Sequence, residues 1–223
     1  FLPDFHNIIN PEPLELESSN FERMFPPPHH VSCVAETKLL GTIITSDMKW
    51  QQNTNSIVKK AYPKMELLRK LSGFGAPIVD LKTVYLTFVR SHCEQSSSLW
   101  HSGLTVHEEN DLERVQKVAL KIILKEQYKN YTNAMNVLEL ETLKDRRTNL
   151  CLSFATKCLS NPKMKQMFPP NNRTHKMDPR SYEHFQVLHA NTERMKCSPI
   201  IYMQKLLNDH IKQKEKLDNI WNI

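Results

Sequence analysis

The stretch KLLGTIITSDMKWQQNTNSIVKKAYPKM, residues 38–65, decides the fold of this chain. It begins with KLLGTII, a short run rich in apolar and β-branched side chains, which predicts a strand. Gly41 inside that run indicates a bulge or a close approach of another group to the backbone. After Trp50 the apolar residues recur at helical spacing, and lysines fill positions between them. The stretch therefore predicts a strand, an aromatic residue and a basic helix in that order.

Helical periodicity continues through most of the chain. Ile57, Ala61, Met65 and Leu68 fall on one stripe at about 100° per residue, and Pro63 predicts a kink or a break in that helix. Apolar spacing of the same kind recurs downstream, with glycine, proline and serine between the segments. The predicted helices span residues 56–72, 77–94, 106–127, 132–138, 140–160 and 200–217.

The start of the third helix carries the strongest local signal. Thr105 and Glu108 have the spacing of a capping box, in which each side chain binds the backbone amide of the other residue. The whole pattern predicts a mainly α fold: a small helical bundle preceded by a short strand or hairpin, with extended N- and C-terminal segments. Three regions follow: an irregular acidic lead-in (1–37), a helical domain (38–168), and an extended tail with a final helix (169–223).

Charge is distributed unevenly along the 223 residues. The lead-in holds six acidic residues and one basic residue, whereas the helical domain holds 20 basic and 12 acidic residues. A positive middle region is typical of a protein with a polyanionic partner. No run approaches the length of a membrane-spanning helix, so we expect no membrane partner. Five cysteines without a CxxC pair, and no secretory signal, favour an intracellular location, nuclear or cytoplasmic. Because the first residue is Phe, we expect the chain to be the end of a longer reading frame.

Catalytic signatures are missing from the sequence. Four glycines cannot supply a phosphate-binding loop, and neither GxSxG nor HExxH occurs. The chain lacks the two adjacent aspartates of a polymerase palm, so we expect no catalytic residues, no metal and no cofactor. His29, His30 and Cys33 are the best metal candidates, and we interpret these histidines as solvated loop residues because no second Cys/His pair follows. Cys151 and Cys158 share one helical face and are interpreted as buried thiols.

Two rows of basic side chains are the positive signal. Each row follows one face of a predicted helix, opposite the apolar stripe, and neighbouring helices could together offer a surface for a phosphate backbone. The alternative is an ordinary solvated face, in which Glu113 pairs with Lys117 at i, i+4. The first row comprises Lys59, Lys60, Lys64 and Lys70, and the second Arg114, Lys117, Lys121 and Lys125, extended by Lys129.

Three further side chains are predicted to be structural. Trp50 and Trp100 each stand where a regular element meets a loop. Such tryptophans can stack on bases, but they more often close the edge of a core, which we favour. Arg147 falls on the apolar face of its helix, so we expect it to bind a carboxylate or carbonyl and to clamp helices together.

Five segments in register carry a family resemblance: ETKLLGTIITSDMKW, NTNSIVKKAYPKMELLRKL, DLKTVYLTFVRSHCEQSSSLWHSGLT, DLERVQKVALKIIL and LELETLKDRRTNLCLSFATKC. Their order and their residues resemble the region after the palm in non-LTR (LINE-like and jockey-like) retrotransposon reverse transcriptases. The resemblance covers residues 34–168 closely, and SPIIYMQKLLN resembles the final motif of such reading frames.

This resemblance implies a thumb-like helical bundle that grips a primer–template duplex, of RNA, DNA or their hybrid. The parent protein would be an RNA-directed DNA polymerase. Its catalytic aspartates and Mg²⁺ would belong to an upstream palm domain that contacts this chain, so the chain itself would not be catalytic and would bind no small-molecule substrate. The two basic rows would contact phosphates without reading sequence.

Two other interpretations remain open. The same segment resembles the N-terminal domain of AlkB-type tRNA hydroxylases and methyltransferases, although neither the HxD iron motif nor a glycine-rich methyl-donor loop occurs. The bundle could instead be a protein-interaction module or a decayed element. An interaction module would leave apolar residues such as Leu67, Leu71 and Val118 uncovered as one contiguous patch.

Overall fold

The structure is a computed structural model that describes residues 34–171 and 184–221. Its contacts divide the chain into two units, Phe1–Ala35 and Glu36–Ile223. Every element described below belongs to the second unit. The boundary falls close to the predicted end of the acidic lead-in, most of which lies outside the described residues.

The predicted strand is a hairpin. Strand β1 (Glu36–Leu39) pairs antiparallel with β2 (Thr42–Thr45), with Leu39 opposite Thr42. The two turn residues, Leu40 and Gly41, have φ values of 48° and 88°, the left-handed backbone that two-residue hairpins prefer. Gly41 also meets the predicted close approach, because a Cβ there would lie 2.9 Å from Gln95 Nε2.

Helix α1 (Gln51–Gly73) starts five residues before the predicted position and buries the predicted stripe of Ile57, Ala61, Met65 and Leu68. Pro63 lies inside it without breaking the helix. Pro63 and Lys59 are both exposed, so the carbonyl of Lys59, which loses its helical partner, can bind water.

The second predicted helix, residues 77–94, is a continuous run of three helical segments. Helix α2 (Ile78–Val84) passes into a π-helical segment (Tyr85–Arg90) and then into α3 (Ser91–Glu94). Helix α4 (Ser97–Trp100) and a 3-10 turn (His101–Gly103) follow. The run buries Tyr85 and Val89 against the core and returns the chain to the start of the next long helix.

Helix α5 (Val106–Leu124) begins at the predicted capping box, which is confirmed. Glu108 Oε2 accepts hydrogen bonds from the amide of Thr105 at 2.6 Å and from its hydroxyl at 2.8 Å. The remaining elements run in chain order to the C-terminus. They are a 3-10 turn (Lys125–Gln127), α6 (Tyr131–Leu138), α7 (Leu143–Ser160), α8 (Pro162–Lys165), α9 (Glu193–Lys196) and α10 (Pro199–Trp221).

Two apolar clusters hold these elements together. The larger joins α1, α2, α5 and α6 and includes Trp50 and Trp100. The smaller cluster lies between α7 and α10. It buries Cys151 and Cys158 beside Phe168, so the two thiols are buried as predicted. The predicted final helix therefore packs on the bundle. The fold class is confirmed: the structure is mostly helical, with a short two-stranded hairpin before the helices.

Candidate nucleic-acid interface

The second predicted row of cations lies along one solvent-facing strip of α5. Four residues advance a helix by about 6 Å and about 40°, so Lys121 follows Lys117 along the strip, Arg114 precedes them, and Lys125 lies one residue past the end of the helix. All four side chains are exposed. The three residues within α5 share one face of the helix, opposite its buried residues.

Carboxylates leave most of this strip unneutralised. Within the described residues, Arg114 alone of the four lies within salt-bridge distance of a carboxylate, with Nη1 3.6 Å from Asp111 Oδ1. Glu113, the possible i, i+4 partner of Lys117, instead accepts a hydrogen bond from the Tyr131 hydroxyl. The pairing that would have made this an ordinary solvated face is therefore not formed at Lys117.

Two tyrosines from outside the helix support the strip. Lys117 Nζ lies 5.2 Å from the ring centroid of Tyr131, and Lys121 Nζ lies 5.5 Å from that of Tyr128. Contacts of this kind contribute about 0.5–1 kcal/mol at exposed sites and leave the ammonium hydrogens free for an anion. The sequence carried no signal for these tyrosines, because they follow the helix after a turn.

Helices α1 and α5 run side by side in the same direction. Trp50, before α1, lies against Gly103, before α5. At the other end Ser72 Oγ donates to the carbonyl of Ile122 over 3.1 Å, and Lys125 Nζ donates to the carbonyl of Ser72. Lys125 therefore binds a carbonyl in the last turn of α1, where helical carbonyls lack intrahelical partners.

The lysines of α1 do not all face the same way. Lys59 and Lys70 are exposed on the outward face, about 20° apart. Lys60 and Lys64 turn toward α3, where Lys64 Nζ contacts His92 Nε2. Burial, then Lys64 and Lys60, lower the pKa of His92. The imidazole is therefore neutral at pH 7 and accepts from the ammonium.

The structure does not join the two rows into one surface. Helical geometry places Tyr62, Glu66 and Arg69 on the strip of α1 between them. Arg69 and Glu66 form an ion pair of 2.9 Å there. Lys64 faces α3 on one flank, whereas Lys117 faces α6 on the other. The molecule thus offers two basic faces, separated by a strip that carries no net charge.

Both predicted structural tryptophans are buried. Trp50 is 5% exposed and Trp100 is fully buried, with its Nε1 donating to the carbonyl of Gln95 over 3.0 Å. Neither indole offers a face to solvent. These residues hold the bundle and are not available to stack on bases.

Arg147 is fully buried, but its partners differ from those expected. Its Nε donates to His101 Nδ1 over 3.4 Å, and its guanidinium carbon lies 5.7 Å from the centroid of the Trp100 ring. In the described part of the chain, Nη1 and Nη2 have no hydrogen-bond partner. Burial lowers the pKa of this guanidinium. An imidazole and an indole thus take the place of the expected carboxylate or carbonyl.

Little of the apolar surface proposed for a protein partner is uncovered. Leu71 and Val118 are partly buried and pack against the larger cluster, whereas Leu67 is 44% exposed. These three residues therefore do not form one open patch.

A cavity of about 670 Å³ borders Trp50, beside the first turn of α5. Three carboxylates line it, and all are already engaged, Glu193 with Lys196 Nζ at 2.5 Å. Asp47 accepts from the Thr45 hydroxyl over 2.7 Å, a bond that with Lys49 lowers its pKa to about 2. Glu108 belongs to the capping box. Each carboxylate in the described lining of this cavity therefore already has a partner.

Comparisons with protein-family models, with curated proteins and with solved structures found no match to this chain. Among the described residues, no helix is long and apolar enough to cross a membrane. His29, His30 and Cys33 lie outside the described residues.

Proposed function

We propose that this chain binds the sugar–phosphate backbone of a nucleic-acid duplex through the basic strip of α5, with the outward lysines of α1 as a second contact. The observation that carries the proposal is the row of exposed cations Lys117, Lys121 and Lys125, none of which pairs with a carboxylate within the described residues. Exposed cations release the counterions that DNA or RNA condenses, which favours binding without sequence preference.

The resemblance to the region after the palm in non-LTR reverse transcriptases makes a primer–template duplex the proposed ligand. In that setting the helices act as a thumb, and an upstream palm domain supplies the catalytic aspartates and Mg²⁺. The activity of the parent protein is then RNA-directed DNA synthesis in an intracellular compartment, and this chain binds the duplex. The resemblance to the AlkB-type N-terminal domain concerns the same helices and adds no catalytic residue.

The salt dependence of duplex binding tests this proposal. Binding of an RNA–DNA hybrid, a DNA duplex and an RNA duplex is measured by fluorescence anisotropy at several salt concentrations. For the wild-type chain, log K is expected to fall linearly with log salt. The Lys117→Gln/Lys121→Gln variant is expected to reduce the slope by about 2, since each phosphate contact contributes about 0.9.

A matched control removes the same charge elsewhere. Lys157 on α7 and Lys205 on α10 are both exposed, so Lys157→Gln/Lys205→Gln changes net charge equally. This control is expected to leave the slope nearly unchanged. Absence of binding, or equal slopes for both double variants, contradicts a contact through α5. Comparison of the three duplexes gives the preference for RNA, DNA or hybrid.

Protein binding is the second candidate, and one observation favours it. Phe74 is 86% exposed and Val79 is 72% exposed on either side of the turn between α1 and α2. Large apolar side chains exposed together often mark a contact surface. Sedimentation velocity of wild type and of Phe74→Ser/Val79→Ser tests whether this turn drives association. Concentration-dependent association that the serine variant removes supports it.

A further inference from the structure

A small crevice lies where three elements meet. The hairpin turn supplies Gly41 and Thr42, α1 supplies Asn53, Ile57 and Lys60, and the chain at and after α3 supplies His92 and Gln95. Its free space is about 10 Å³, close to the volume that one water-sized sphere requires. The crevice therefore accepts one oxygen atom and excludes a larger group.

Asn53 lines this crevice and is almost fully buried. Its side chain is 2% exposed, and its Oδ1 accepts a hydrogen bond from the amide of Ile43 over 3.1 Å. Because the amide of Ile43 can only donate, the oxygen of Asn53 must face it, which fixes the orientation of the side-chain amide. Within the described residues Nδ2 has no partner. A buried donor without an acceptor costs about 1–3 kcal/mol, so a ligand at this position would be stabilising.

The lysine, histidine and glutamine side chains around Asn53 are donors or are already engaged. Lys60 is exposed and pairs with no carboxylate among the described residues. His92 Nε2 accepts from Lys64, and Gln95 Nε2 donates to the carbonyl of Leu40 over 2.9 Å. No acidic side chain lines the crevice. The site therefore combines a buried neutral donor with a cation at its mouth.

We propose that this crevice is a seat for one phosphate of the bound strand, with a single phosphate oxygen inserted against Asn53 Nδ2 and the rest of the group held outside by Lys60. The free space admits one oxygen and leaves the remaining oxygens at the exposed ammonium. This seat deepens the proposed function, on which it rests, because Lys60 belongs to the basic row of α1. It makes the hairpin turn part of the interface.

Inorganic phosphate is the direct probe. The side-chain amide of Asn53 is followed by NMR while phosphate, or chloride at equal ionic strength, is added. A saturable shift with phosphate and none with chloride is the expected result. In Asn53→Asp the oxygen that binds Ile43 remains and the donor becomes an acceptor, so saturable phosphate binding is expected to disappear, as monitored at the Gln95 side-chain amide. Equal shifts with both anions show that only water fills the crevice, and they overturn the proposal.

Duplex binding separates the seat from the proposed function. Lys59 and Lys60 are adjacent and both exposed, but only Lys60 lines the crevice. Lys60→Gln is expected to weaken duplex binding about tenfold, and Lys59→Gln about twofold, since a charge-assisted hydrogen bond contributes more than a screened contact. If both variants lose the same affinity for the duplex, the phosphate site in the crevice is overturned, but the proposal that the chain binds a duplex is not. If the wild-type chain binds phosphate at Asn53 but no duplex, the proposed function fails and the crevice is a site for free phosphate.

Discussion

Arg147 Nε donates a hydrogen bond to His101 Nδ1 over 3.4 Å in the interior of the bundle. Because Arg147 can only donate, the proton of the neutral imidazole is on Nε2, which lies 3.1 Å from Thr148 Oγ1. Thr148 Oγ1 is 3.3 Å from the Tyr202 hydroxyl on α10. One chain of polar contacts therefore links the start of α7, the turn before α5 and the C-terminal helix, and it requires His101 to stay neutral.

Acidification is expected to destabilise the protein through His101. Burial, and then Arg147, lower its pKa from 6.5 to about 4, so between these values the unfolded chain binds a proton that the folded chain does not. The free energy of unfolding therefore falls as pH drops from about 6.5 to about 4, by about 3 kcal/mol in total, and this penalty is absent above pH 6.5. Urea unfolding at several pH values measures it.

Two glutamine variants isolate this contribution. His101→Gln keeps an acceptor for Arg147 and removes the titration, so its stability is expected to change less between pH 7 and pH 4 than that of wild type. His107→Gln removes an exposed histidine that pairs with Asp111 at 3.1 Å, and it is expected to retain most of the wild-type acid dependence. An unchanged pH profile in His101→Gln contradicts the assignment.

Arg147→Met is expected to leave the free energy of unfolding within about 1 kcal/mol of wild type, or to raise it. The methionine fills a similar space and removes two buried nitrogens without partners, at the cost of one unpaired nitrogen on His101. Arg147→Ala leaves a cavity beside Trp100 and is expected to cost about 2–4 kcal/mol. A methionine variant as unstable as the alanine variant would show that the guanidinium itself stabilises the core.

Sequence periodicity predicted which residues of a helix are buried, but not which elements pack beside that helix. The stripe of Ile57 to Leu68 and the capping box at Thr105 are local patterns, and both are present in the structure. Lys64 turns toward His92, whereas Lys117 turns toward Tyr131. Both directions depend on which elements pack on each side of the helix. A helical wheel gives angles about one axis only. The separation of the two basic faces could therefore not be read from spacing.

The candidate crevice was missed for a related reason. Asn53 precedes the predicted start of the helix at residue 56, and only the fold of the hairpin over the first turn of α1 buries it. The burial of Arg147 was predictable from its position on the apolar face of α7. Its partners were not, because His101 and Trp100 belong to short helical turns with no periodic signal.

Gly103→Ala is expected to destabilise the protein by about 1–3 kcal/mol, because the added Cβ would lie 2.5 Å from Nε1 of the buried Trp50 and force it to move. Gly73→Ala is the matched control. A Cβ at Gly73 meets nothing within 4 Å, and this residue ends α1, so the change is expected to be neutral or stabilising by up to about 1 kcal/mol. Thermal and urea unfolding of both variants measure the difference. Equal stabilities would show that Trp50 does not pack against this turn.

Two helices begin with the same threonine–carboxylate motif in different surroundings. Thr105 binds Glu108, which is 2% exposed, whereas Thr142 binds the exposed Asp145, with its Oγ1 2.7 Å from Asp145 Oδ2. Removing either hydroxyl loses a cap, at about 1 kcal/mol. Thr105→Ala also leaves a carboxylate that is only 2% exposed with one hydrogen bond fewer, so we expect about 2 kcal/mol there.

Urea unfolding of Thr105→Ala and Thr142→Ala compares the two caps directly, and serine at each position provides the control because it keeps the hydroxyl. We expect Thr105→Ser to recover most of the stability that Thr105→Ala loses. If the two alanine variants lose the same free energy, burial of Glu108 adds nothing to the cap. Ordinary capping alone would then stabilise the N-terminus of α5, the helix that carries the proposed phosphate-binding strip.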